Sequence, residues 1–130
     1  MDEIATHVRT LQIGDALSKT AAAEALAELA YCDEENEALI AEAGGIEPLI
    51  HLLRDGSAEA KTMAARALDN LAYFNDANQI LIAEAGGVPP LVDLLRNGIR
   101  YGKANWKQPA SRAPSQHFTH CLVVYRLLTE

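Results

Sequence analysis

Aromatic residues make up only 5% of this 130-residue chain, and their scarcity bears directly on the fold class. Sandwiches and barrels fill their pleated faces with valine, threonine and aromatic side chains. Here alanine and leucine dominate, which is the composition of closely packed helices. Cysteine is nearly missing as well. Cys32 and Cys121 stand far apart in unlike contexts, so they make no disulfide framework and read as two free thiols of a reducing compartment. The longest apolar stretches are broken within a few residues by charge, so none spans a bilayer. The opening Met1-Asp2-Glu3-Ile4 is acidic, with no apolar signal region. These absences together point to an intracellular protein, cytoplasmic or nuclear, of a size that suits one domain.

Positive charge is also scarce, but unevenly. Up to Gly98 the chain holds 17 acidic and 6 basic residues, whereas from Ile99 onward only Glu130 faces Arg100, Lys103, Lys107, Arg112 and Arg126. The two parts recover the net −7 of the whole. A sign change this sharp marks a boundary. An acidic main body argues against nucleic acid as the ligand, because phosphate contacts need clustered lysine and arginine.

What the chain does have is a repeat. Lys19–Gly56, KTAAAEALAELAYCDEENEALIAEAGGIEPLIHLLRDG, lies over Lys61–Gly98, KTMAARALDNLAYFNDANQILIAEAGGVPPLVDLLRNG, with 23 of 38 positions identical and no gap. The shift is 42 residues, a period that marks a solenoid or array. A long helix is expected from about Ser57 to Tyr73, with a counterpart from about Asp15 to Tyr31. Ala60, Ala64, Ala67, Leu68 and Leu71 share one face of a 3.6-residue period there. Short helices follow, Asn78 to Ala85 and Asn36 to Ala43. Each asparagine is read as the N-cap, and Leu81 with Ile82 as the buried side. Gly44-Gly45 and Gly86-Gly87 end those helices. Pro48 and Pro89-Pro90 mark the start of the next, which carries Leu49, Leu52, Leu53 or Leu91, Leu94, Leu95 and is expected to stop at Gly56 or Gly98.

Three helices per unit, the Ala-Gly-Gly-Ile/Val-x-Pro-Leu turn and the Ala-x-Ala-Leu-x-Asn-Leu-Ala segment together resemble the armadillo repeat. The resemblance covers roughly Ile4 to Gly98. It implies an all-α, armadillo-type α-solenoid, with three-helix repeats stacked into a right-handed superhelix. The expected organisation is a partial unit over 1–14, units of about 15–56 and 57–98, and a divergent basic tail over 99–130 that is loop or partly disordered. In such arrays the third, longest helices line a concave groove. The outward face of those helices reads Thr20, Glu24, Ala27, Glu28 and Tyr31 in one unit, and Thr62, Arg66, Asp69, Asn70 and Tyr73 in the other. Peptide-binding family members use an asparagine there to bond the ligand backbone and a tryptophan one turn earlier to pack on its side chains. Asn70 matches that asparagine and Glu28 replaces it in the other unit, while Arg66 and Glu24 stand at the tryptophan places. The candidate peptide-binding residues are thus Glu24, Glu28, Tyr31, Arg66, Asp69, Asn70 and Tyr73. With Asp33-Glu34-Glu35 near one end, the groove is acidic, and a basic extended segment is its natural complement.

The pattern fails after Gly98. Lys103 keeps phase with Lys19 and Lys61, but Trp106, Pro109 and Pro114 fall where alanines stood. Two prolines in a helix interior cost about 3 kcal/mol each. The stretch from Trp106 to Gln116 therefore reads as loop, and Phe118 to Leu128 as a short apolar cover for the face left open. Two readings of this tail stay open: an internal ligand folded into the acidic groove, or a shifted reading frame or retained intron. His117, His120 and Cys121 lack a second cluster to complete a metal site, so neither metal nor cofactor is expected. No Gly-x-Ser-x-Gly, phosphate-binding glycine loop or His-Glu-x-x-His occurs. The function expected is that of a non-catalytic adaptor that binds a protein or peptide, without nucleic acid or membrane. The alternative is a structural fragment of a longer array that self-associates through its uncapped apolar ends.

Overall fold

The computed structural model describes residues 2–101, with side chains from Glu3 to Leu94. Within that span the chain is all helix, with no strand among the described residues: α1 (Asp2–Ile13), α2 (Ala16–Ala30), α3 (Glu34–Glu42), α4 (Ile46–Asp55), α5 (Ala58–Ala72), α6 (Asp76–Glu84) and α7 (Val88–Tyr101). One complete unit is α3, α4 and α5. It is preceded by α1 and α2, which are the second and third helices of a unit, and followed by the first two of the next, α6 and α7. Both long helices form where the 3.6-residue period places them. Asp15 and Ser57 cap them, accepting from the N–H groups of Ser18 at 2.8 Å and Ala60 at 3.2 Å.

The repeated double glycine divides two tasks between its members. Gly44 and Gly86 sit at φ +82° and +84°, the left-handed conformation that ends α3 and α6. Their N–H groups reach the carbonyls of Ala41 and Ala83, and those of Gly45 and Gly87 reach Ile40 and Ile82. This pair of bonds is the Schellman closure of a helix. Gly45 and Gly87 have ordinary backbone angles but no room, since a Cβ on either would stand 2.8 Å from the Cγ2 of Ile40 or Ile82.

The core runs unbroken from Ile4, Val8 and Leu11 of α1, through Leu26, Leu49, Ile50 and Leu53, to Leu68, Leu71, Ile82 and Leu91. Alanines make the seams. Ala23, Ala27 and Ala30 of α2 are wholly buried, and α2 packs extensively on α5. Polar side chains then stitch the units through backbone carbonyls. Asn36 donates to Leu29 O and Asn78 to Leu71 O, both at 2.9 Å, and Gln79 donates to Ala72 O at 2.9 Å. Asn75 donates to the Glu37 carboxylate at 2.9 Å, tying the second unit's turn to α3.

Several expectations need correcting at element ends. Asn36 and Asn78 are not N-caps. Asp33 and Asn75, three residues earlier, accept from their N–H groups at 3.0 Å, and the asparagine amides are turned inward to the carbonyls named above. Leu81 is not buried but 44% exposed, because Ile82 alone takes the inward position. The prolines do sit where α4 and α7 begin, in the first turn after Ile46 and Val88, where four N–H groups lack partners in any case. Gly98 does not stop α7, which runs on to Tyr101. At Gly56 the chain meets Ser57, which caps the next helix, whereas Ile99-Arg100-Tyr101 offers no capping side chain. The tail break at Pro109 and Pro114, the His117-His120-Cys121 cluster and the apolar end lie outside the described residues.

Candidate functional site

Side by side, α2 and α5 are the third helices of consecutive units, and they present the face on which the sequence places a ligand. Glu24 and Glu28 are exposed on α2, four residues apart and so one above the other. Tyr31, the C-cap residue, is 43% exposed at its end. Across the seam, Arg66 and Asn70 of α5 and its C-cap residue Tyr73 are half-buried. Arg66 lies against Met63, with its guanidinium 3.6 Å from the sulfur. Asn70 Nδ2 donates to Ala27 O at 2.8 Å. One N–H of the candidate ligand-holding amide is therefore spent on the helix junction, though an amide has a second N–H and an oxygen to offer. Among the described residues no group of three His, Cys, Asp or Glu side chains is placed to hold a metal ion.

Asp69 does not belong to this face. It is only 4% exposed, and neither carboxylate oxygen has a hydrogen-bond partner. Burial pushes its pKa up from 3.8 to about 8. The reason is its stripe. Asp69 is one turn from both Ala65 and Ala72, which are buried, and it occupies the place of fully buried Ala27 in the repeat. Thr62, also read as outward, is buried and donates its hydroxyl to Ala58 O at 2.9 Å.

Acidic character beyond the groove is partly structural. Asp33 spends its carboxylate on the α3 cap, while Glu34 and Glu35 stand exposed. Glu37 is buried, and that burial raises its pKa above the usual carboxylate value. The Asn75 amide opposes the shift, and the nearby charges of Glu34 and Asp33 add to it.

Sequence reasoning missed Phe74. It follows Tyr73 at φ +50°, 80% exposed, with its ring 4.4 Å from that of Tyr73 and tilted by 55°. Its counterpart Cys32 has φ +54°, so the left-handed turn belongs to the repeat while the aromatic side chain does not. Periodicity cannot flag it, because it lies two residues past the end of α5.

Comparison with known proteins fits this geometry. Residues 33–73 match the family model described as Armadillo/beta-catenin-like repeat, and that span is the complete unit from the Asp33 cap through α5 to Tyr73. Three crystal structures of engineered proteins are similar. The first is 38% identical with a TM-score of 0.70, over 74% of this chain and 23% of that one. The second is 33% identical with a TM-score of 0.67, over 73% and 39%. The third is 29% identical with a TM-score of 0.69, over 93% and 44%. The chain thus spans less than half the length of each. No curated protein matches it significantly.

Proposed function

We propose that this chain, an all-helical protein of armadillo-type repeats, is a non-catalytic scaffold whose α2–α5 face holds an extended, basic segment of a partner protein. The observation that carries the reading is the exposed acidic pair Glu24 and Glu28 on α2, set opposite the Asn70 amide and flanked by Tyr31 and Tyr73. Side-chain amides can bond the backbone of an extended ligand, carboxylates select its basic side chains, and tyrosines supply contact area at low entropic cost. Arg66 breaks the acidity at one point and gives the face a direction. This reading makes the protein an intracellular adaptor without nucleic acid as ligand. No helix among the described residues is long and apolar enough to cross a membrane.

The test is a panel of basic, neutral and acidic peptides against wild type and Glu24→Lys/Glu28→Lys. Charge reversal should weaken basic peptides by roughly threefold to tenfold, mainly through association rate. Unchanged selectivity would remove the acidic-groove reading.

A second reading has its own observation. Ile13 and Leu17, at the α1–α2 corner, are 71% and 83% exposed, which favours a module that stacks end to end with further units or copies. Sedimentation separates the two: a monomer across concentration supports the adaptor, and progressive assembly supports the stacking module.

A further inference from the structure

The turn after α5 brings together two features that are distant in sequence. Phe74 projects an exposed ring that the Tyr73 ring backs at 4.4 Å. Its neighbour Asn75 bonds the Glu37 carboxylate of α3 at 2.9 Å, which sets the turn beside the first turn of α3, where Glu34 and Glu35 are exposed. The charges of Glu34 and Asp33 are close enough to raise the pKa of Glu37. An exposed ring on a turn that is bonded to the acidic first turn of α3 suits one side chain above others. Arginine's planar guanidinium stacks on a ring while its edge N–H groups meet carboxylates, whereas a lysine ammonium is more strongly hydrated and stacks less well. A β-carbon at positive φ is strained, so glycine at position 74 would hold this turn at lower cost, as it would at Cys32, which shares the conformation.

We propose that Phe74, backed by Tyr73 and joined through Asn75 to the acidic first turn of α3, is an arginine-selective subsite at the end of the groove. The inference rests on the groove reading above and names the residue type that the partner segment carries there. The probe is a labelled peptide with four arginines in a serine-glycine background, compared with versions carrying lysine or norleucine at all four places, by fluorescence anisotropy on the full chain. Arginine should bind tightest and norleucine weakest. Phe74→Leu should lower arginine-peptide affinity by about threefold to tenfold, to the lysine level, and Phe74→Tyr should retain it. Phe74→Gly should lose the same preference while raising the melting temperature by a few degrees. That opposite movement of affinity and stability is not expected of a residue with only a structural role. An arginine–lysine difference that persists in Phe74→Leu overturns the subsite and leaves the groove reading intact. Failure of every peptide to bind overturns both.

Discussion

Asp69 is the residue whose environment most exceeds what its neighbours can support. A buried carboxyl without a partner is destabilised in its charged form, hence the rise from 3.8 to about 8. Between those values the folded chain keeps a proton that the unfolded chain has released. Stability therefore falls as pH rises through that window and is lowest above it. Asp69→Ala, which installs the residue found at Ala27, should raise stability by about 1–3 kcal/mol at pH 8 and by progressively less toward pH 5. Urea denaturation of both proteins at several pH values measures the difference, and a gap that stays constant with pH would contradict it. Charge was a poor guide here. An aspartate reads as solvent-facing until its stripe is traced through Ala65 and Ala72. Phe74 was illegible for another reason: nothing in its type or spacing reports a positive φ. Glu24 and Glu28 are exposed although Ala27, three residues after Glu24, is buried, so the edge of the buried face runs between them.

Element ends carry a comparable lesson. The number, order and approximate span of the helices follow from the 42-residue shift, and the double-glycine stops sit where expected. The starts of α3 and α6 did not, because Asp33 and Asn36, like Asn75 and Asn78, are both capping types three residues apart. Geometry gives the cap to the first and turns the second inward. Asn78→Ala therefore strips donors from Leu71 O at 2.9 Å and from Glu37 O at 3.4 Å in a buried site, and should cost about 1–3 kcal/mol in chemical denaturation. Asn36→Ala loses one carbonyl and the Asp33 carboxylate at 3.2 Å, but at a half-buried site, and should cost less because water can replace the lost donor. Equal costs would contradict that role of burial. At Gly86, φ +84° makes alanine unfavourable by roughly 1–2 kcal/mol, while Arg54 Nη2, which donates to Gly86 O at 3.2 Å, must also shift.

At the scale of the whole molecule, the units form one core, and an acidic chain of net −7 turns its two complete third helices to a common side. A groove that recruits basic segments through this charge must lose affinity as salt is raised, since exposed pairs beyond a Debye length are screened. The repeat made the scaffold legible, but the grip on a ligand was less so, because Asn70 is shared with the helix junction and Asp69 is withdrawn into the interior. The most direct measurement is a backbone amide NMR titration of the full chain with the four-arginine peptide at low salt. The account predicts shifts concentrated at Glu24, Glu28, Tyr31, Arg66, Asn70, Tyr73 and Phe74, and their reversal on addition of salt. Shifts centred instead on the opposite side, at α1 and α4, or the absence of any saturable change, would contradict it.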